Sequence, residues 1–254
     1  MMLRIYVLLT TLILVNCFAF PPIKTSHDDS KNSDEGKVYL SGEELEAARA
    51  SEPKATGLFA LIEEGDDSEI IKAALSAGEQ LETRDGRGLT PLLWAAVNGR
   101  SETVIFLLHA GADISARENT EGSDGRGALM LASAVGDEDS VRALLEAGEP
   151  VNARALLSDA TALYFASSAG RANVVRVLLE YGAAVDAAPK TSGTTPLCAA
   201  AEMGNADVMR ELLDAGANAD KANKVGQTAR LAAQPSLQWL FRDGSKVGDG
   251  MFNL

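Results

Sequence analysis

The chain has 254 residues, 46% of them apolar and 5% aromatic, with a formal net charge of −13. That is the composition of one or two globular domains whose core is built from Leu, Val, Ile and Ala. The charge repels phosphate backbones, so it argues against nucleic acid as a partner; it either suits a basic protein or peptide or serves only to keep the chain soluble.

Residues 1–19 form a segment of their own. Arg4 precedes an apolar run from Ile5 to Val15, and Cys17 and Ala19 put small residues at the −3 and −1 positions of a cleavage site. This is the pattern of a secretory signal peptide, and the run is short for a membrane span. The expected location is the secretory pathway, either secreted or in the endoplasmic reticulum lumen, with no membrane span after cleavage. Two alternatives stay open. One is a tether through an uncleaved signal anchor. The other is a complex plastid, because CFA-FPP resembles the bipartite leaders of such organelles; the acid-rich HDDSKNSDEG that follows argues against it. Loss of the leader would remove Cys17 and leave Cys198 with no cysteine to pair with. Residues 20–40, polar, acidic and containing Pro21-Pro22, read as a disordered linker. Within 41–55, Ser41 stands three residues before Glu44, a capping-box spacing that predicts a short helix over 41–50 and a connection after it.

From residue 56 to residue 241 the chain repeats itself. TGLFALIEEG starts at Thr56, TPLLWAAVNG at Thr90, GALMLASAVG at Gly127, TALYFASSAG at Thr161, TPLCAAAEMG at Thr195 and TARLAAQPSL at Thr228. The intervals are 34, 37, 34, 34 and 33 residues. A second signature follows each of the first five: EIIKAALSAG, TVIFLLHAGA, SVRALLEAGE, NVVRVLLEYG and DVMRELLDAG. In the copy beginning at Thr161, Val174, Val177 and Leu178 fall at i, i+3 and i+4 and make one helical stripe, with Leu163 and Ala166 on the facing helix. Gly170 and Gly182 sit just past the helix ends, where a left-handed backbone favours glycine. Helices this short bury their apolar faces only by stacking on neighbouring copies. Pro235 breaks the last copy, and LQWLF at 237–241 predicts a capping helix with Trp239 over the end of the stack. Glu63 and Glu64 suit a solvated opening copy. Residues 242–254 have no period and read as a loose tail.

These copies resemble the ankyrin repeat: the Thr-Pro-Leu start, the Ala-Ala pair, the mid-repeat Gly, the Val-Val-x-x-Leu-Leu helix and the Gly-Ala ending. The resemblance implies an all-α solenoid of helix–turn–helix units joined by β-turn fingers. It implies a monomeric, non-enzymatic module that binds an unknown protein or peptide, with a basic one favoured by charge, on its concave face. One departure runs through every copy. The usual His is replaced by Phe59, Leu93, Met130, Tyr164, Cys198 and Leu231, so apolar packing is expected where the family has a Thr–His hydrogen-bond network.

The residues offer no catalytic, cofactor or metal site. There is no nucleophile with a base and no phosphate cradle. His27 and His109 lack ligand spacing, and Gly86-Arg87-Gly88 and Gly122 to Gly127 lack the context of a P-loop. Asp137, Glu138 and Asp139 lack the alternation of a calcium loop and instead load the start of a helix near Asp139. Cys198 falls in a core-facing slot, which argues against a reactive thiol.

The partner-binding candidates follow from the resemblance. The slot after the missing His points toward the concave surface and carries Ala60, Trp94, Leu131, Phe165, Ala199 and Ala232. Trp94, Leu131 and Phe165 come from consecutive copies, and Val97, Asn98 and Val135 share their face; Arg87 stands in the finger before them. The strip is either an interface or packing between adjacent first helices. Glu63, Glu64 and Glu202 would steer a basic partner. Two fingers are further candidates. ARENTEGSDGRG at 116–127 is four residues longer than a 33-residue period allows, either for contact or as a tolerated insertion. ALLSDA at 155–160 carries Leu156-Leu157 where polar turn residues are expected, either to dock a partner or to fold under the stack. The alternative function is a chaperone-like or structural scaffold that holds hydrophobic client segments.

Overall fold

The computed structural model describes residues 57–120 and 122–241. They belong to one compact unit that begins at Gly57. The expected leader, linker, 41–50 helix and tail lie outside the described residues.

Among the described residues, eleven α-helices and one 3-10 helix follow in order: α1 (Leu58–Glu64), α2 (Ser68–Ser76), α3 (Pro91–Val97), α4 (Ser101–His109), α5 (Ala128–Val135), α6 (Glu138–Glu146), α7 (Ala162–Ser168), α8 (Ala172–Glu180), α9 (Pro196–Met203), α10 (Ala206–Asp214), α11 (Ala229–Ala232) and the 3-10 helix Pro235–Phe241. Strand-like pairing among these residues is limited to isolated β-bridges, Arg117–Gly127 and Arg154–Thr161, at two of the fingers. The odd-numbered helices pack in one row and the even-numbered helices in a second, which the 3-10 helix extends; all extensive helix packing lies within a repeat or between adjacent repeats. The fold is the all-α solenoid that the repeats predict.

Threonine opens four of the first helices. The hydroxyls of Thr90, Thr161, Thr195 and Thr228 accept from the backbone N–H of Leu93, Tyr164, Cys198 and Leu231. Each satisfies one of the N–H groups that a helix start leaves free. The missing His therefore does not leave Thr idle. Of the residues standing in its place, Phe59, Leu93, Met130 and Cys198 are all buried core.

Other helix ends are satisfied across the repeat boundary instead. Arg100 gives α4 no side-chain cap; Asp66 of the preceding repeat supplies it, accepting from Glu102 N and Thr103 N at 3.0 and 2.7 Å. In return, Arg100 donates to the carbonyls of Ile62 and Glu63 at the end of α1. Arg171 donates likewise to Ala134 O of α5, and Asn205 to Ser167 O and Ser168 O of α7. Orphan groups at helix ends thus tie each repeat to the one before.

On α8, Val174, Val175, Val177 and Leu178 are all buried. The stripe is one residue wider than its spacing predicts, because α8 lies between α6 and α10 as well as against α7. The expected helix at 237–241 is present as part of a 3-10 helix, Pro235–Phe241. One expectation needs correction: Trp239 is half-exposed rather than covering the stack. Pro235 opens that 3-10 helix, after an α11 of only four residues. The helix placed near Asp139 begins at Glu138, with the Asp137 side chain accepting from Ser140 N.

Candidate partner-binding surface

The strip at Trp94, Leu131 and Phe165 is largely covered. Trp94 is 8% exposed. Its ring meets Phe59 edge-on, centroids 5.6 Å apart, and the Arg87 guanidinium lies 4.1 Å above it. Arg87 is itself held by Asp85 at 3.3 Å. Leu131 is 0% exposed, because α5 is flanked by α3 and α7. Phe165 is half-buried and edge-on to Tyr164. Val97 and Val135 are also half-buried. Asn98 is exposed, but its amide donates back to Trp94 O at 2.8 Å. Trp94 and Leu131 are therefore packed into the stack, and the accessible part of the strip is Val97, Asn98, Val135 and Phe165. Glu63, Glu64 and Glu202 are exposed on first helices.

The two fingers, separate in sequence, form one unit. Strand-like pairing of Arg117 with Gly127 closes the longer finger. Glu118 and Arg126 brace it with a two-pronged pair at 2.9 and 2.8 Å. Asp124 at its tip then holds the next finger. Its backbone carbonyl accepts from Leu156 N at 2.7 Å. Its carboxylate accepts from Leu157 N, Ser158 N and the Ser158 hydroxyl at 3.2, 2.7 and 2.6 Å. Gly125 has a φ of 62°, and any side chain there would collide with Leu156. On the other flank, Asp159 adopts a left-handed backbone, φ 62°, uncommon without glycine. Arg154 donates to both its carbonyl and its carboxylate at 2.8 Å, and Lys190 N donates to the same carboxylate. Between these supports Leu156 and Leu157 stand 71% and 61% exposed. They do not fold under the stack.

An ion pair outside the repeat motifs anchors the base of this unit. Glu149 takes the place of Ala in the Gly-Ala ending of its repeat, and its side chain is 1% exposed. The Arg117 guanidinium lies 3.1 Å from it, yet neither carboxylate oxygen has a hydrogen bond of good geometry. Burial pushes the Glu149 carboxyl above its ordinary range, and the nearby Arg117 charge only partly opposes this. Arg117 also accounts for Gly127, which stands where most copies have Thr: a side chain at 127 would collide with the guanidinium. The two departures from the repeat pattern, Glu149 and Gly127, were the signal available in the sequence.

Among the described residues no cluster of His, Cys, Asp or Glu could hold a metal ion. No helix there is long and apolar enough to cross a membrane. Cys198 is buried, and desolvation, aided by Glu202, pushes its thiol up to about 11.

Compared with known proteins, the chain matches the family model for ankyrin repeats in three overlapping copies, over residues 37–118, 58–155 and 129–223. It is similar to Protein PhlB of Serratia liquefaciens, 35% identical over 90 residues. That match spans 35% of this chain and 38% of the relative.

Proposed function

The chain belongs to the ankyrin-repeat family, whose members are generally protein–protein interaction modules, and we propose that it is a non-enzymatic module that engages a protein or peptide through its fingers and the adjoining concave rim. The observation that carries this reading is the leucine tip. Two large apolar side chains are held in water by hydrogen bonds from both flanks and by a left-handed aspartate. An apolar pair fixed in place binds without the entropy loss of ordering a loop. Exposed apolar surface on a rigid support is a recurrent mark of an interface.

Val97, Asn98, Val135 and Phe165 extend the contact along the first helices, with Trp94 and Leu131 as the packed floor beneath. Exposed acids at Glu63, Glu64 and Glu202 favour a basic partner. The secretory pathway is the compartment in which we expect it to be met. The test compares binding of a partner recovered from that compartment by the wild type, by the double variant Leu156→Glu/Leu157→Glu, and by Val225→Glu, a still more exposed apolar site on another finger. Loss with the double variant and retention with Val225→Glu supports the reading. Undiminished binding by the double variant removes the tip from it. A mixture of unrelated clients, insensitive to all three changes, would favour the scaffold alternative.

A further inference from the structure

The base of the leucine tip is built on a buried charge that the fold itself does not require. At the same slot, the following and preceding repeats carry Ala183 and Ala112. A buried ion pair is costly to desolvate, and its attraction need not repay that cost. Where such a pair persists, fixing one arrangement of neighbouring groups is a role it can fill. Here the groups it fixes are connected. Arg117 pairs with Gly127 across the base of the inserted finger. Arg84, from the preceding finger, donates to Arg117 O at 2.8 Å. The finger between 117 and 127 carries Asp124, which sets the positions of residues 156–158.

We propose that the Arg117–Glu149 pair is an acid-sensitive latch on the leucine tip: with Glu149 ionised the inserted finger holds Leu156 and Leu157 in place, and protonation of Glu149 releases Arg117 and loosens them. This rests on the reading of the tip as the binding element and adds its regulation. Besides Arg117, the charged group acting on Glu149 is Asp113, which opposes its ionisation; Arg117 and Arg84 in turn favour the charged form of Asp113. Glu118 and Arg126 pair with each other beyond it. Arg117 is one-quarter exposed, so once released it has a short path to water.

The direction of the titration is fixed by burial. Glu149 holds its proton at milder acidity than an ordinary glutamate, so the release comes early on acidification. The same group affects global stability in the opposite sense. Because its folded-state pKa is raised, its contribution to stability falls as pH rises from the ordinary glutamate range through the folded value. Acidification in that window therefore makes Glu149 less costly to the fold while it frees the tip.

The experiment uses the full chain without any partner. Leu156 and Leu157 methyl resonances, and the exchange protection of the Leu157 and Ser158 amides, are followed against pH. In the wild type the methyls move through a midpoint above the ordinary glutamate range. Corrected for the intrinsic pH dependence of exchange, protection falls about tenfold across it as the local opening energy drops. Glu149→Gln abolishes that transition, and Arg117→Met gives the acid-form methyl positions at every pH while far-UV circular dichroism stays native. The same transition in Glu149→Gln, its absence in the wild type, or neutral-form methyls in Arg117→Met overturns the latch. None of these outcomes bears on whether the tip binds a partner, which the leucine-to-glutamate variants decide separately.

Discussion

Replacing Trp94 with Ala distinguishes a packed floor from a displayed anchor. A buried Trp removes roughly 150–250 Å² from water, which at roughly 25 cal/mol per Å² corresponds to about 4–6 kcal/mol. The edge-on contact with Phe59 and the Arg87 guanidinium over the ring add about 1 kcal/mol between them. Two terms reduce the loss. The indole N–H is buried with no acceptor, so its removal returns part of a desolvation cost of about 1–3 kcal/mol. Ala60 and Ala199 at the corresponding slots show that first helices here tolerate a small residue. The expected loss is about 3–5 kcal/mol, the usual range for a buried aromatic. That is a large part of the roughly 5–15 kcal/mol that holds a domain together. Urea unfolding followed by circular dichroism measures it, and amide exchange on α1 to α4 shows whether the loss begins at that end. Trp94→Phe keeps the ring contact and drops the unpaired N–H, so it costs about 1 kcal/mol or less. A loss below about 1 kcal/mol in Trp94→Ala, with native exchange in α1 and α3, would falsify the account of Trp94 as core.

Four further outcomes follow from the same geometry. Asp66→Ala removes the borrowed cap of α4 and should cost about 1–2 kcal/mol in urea unfolding, within the range of N-cap losses; no loss would mean that water replaces the carboxylate freely. The triple change Arg117→Ala, Gly127→Thr and Glu149→Ala restores the common repeat pattern, and should stabilise the protein by about 1–4 kcal/mol, as other buried pairs do when replaced by apolar groups; a net loss would show the pair to be stabilising after all. Gly125→Ala puts a side chain into Leu156 at a positive φ, and should cost about 1–3 kcal/mol and shift the Leu156 methyl resonances, whereas unmoved methyls would contradict the close contact. Cys198, with its thiol pushed up to about 11, should react with a disulfide reagent only after unfolding, with little acceleration between about pH 7 and 9; rapid labelling of native protein would place it at the surface.

The repeat was legible because its residues answer to local demands. Thr90, Thr161, Thr195 and Thr228 open helices through their own hydroxyls, and Gly170 and Gly182 adopt the positive φ that follows a helix end. Such features need only a few residues of context. The candidate surface was less legible because exposure is set between repeats. The periodicity places Trp94, Leu131 and Phe165 in one slot, but burial of Leu131 comes from α3 and α7 on either side of it. The spacing of α8 shows three apolar positions, and the fourth, Val175, is covered by the stacking of α6 and α10. The support of the leucine tip is harder still to read. Asp124 and Ser158 are 34 residues apart, and nothing within either finger announces the other. The swap of Ala for Glu149 and Thr for Gly127 was visible as a mismatch; only the guanidinium between them explains both.

The shared helix ends of this stack have a consequence for how it comes apart. Asp66 serves α4, Arg100 serves α1, Arg171 serves α5 and Asn205 serves α7. A copy peeled from one end therefore strips polar partners from the copy it leaves, in addition to uncovering its oily flank. Excising an internal copy and rejoining the chain would pair donors and acceptors that never evolved against each other. Length variants of this protein should for that reason behave as new proteins rather than as shorter versions of the same one.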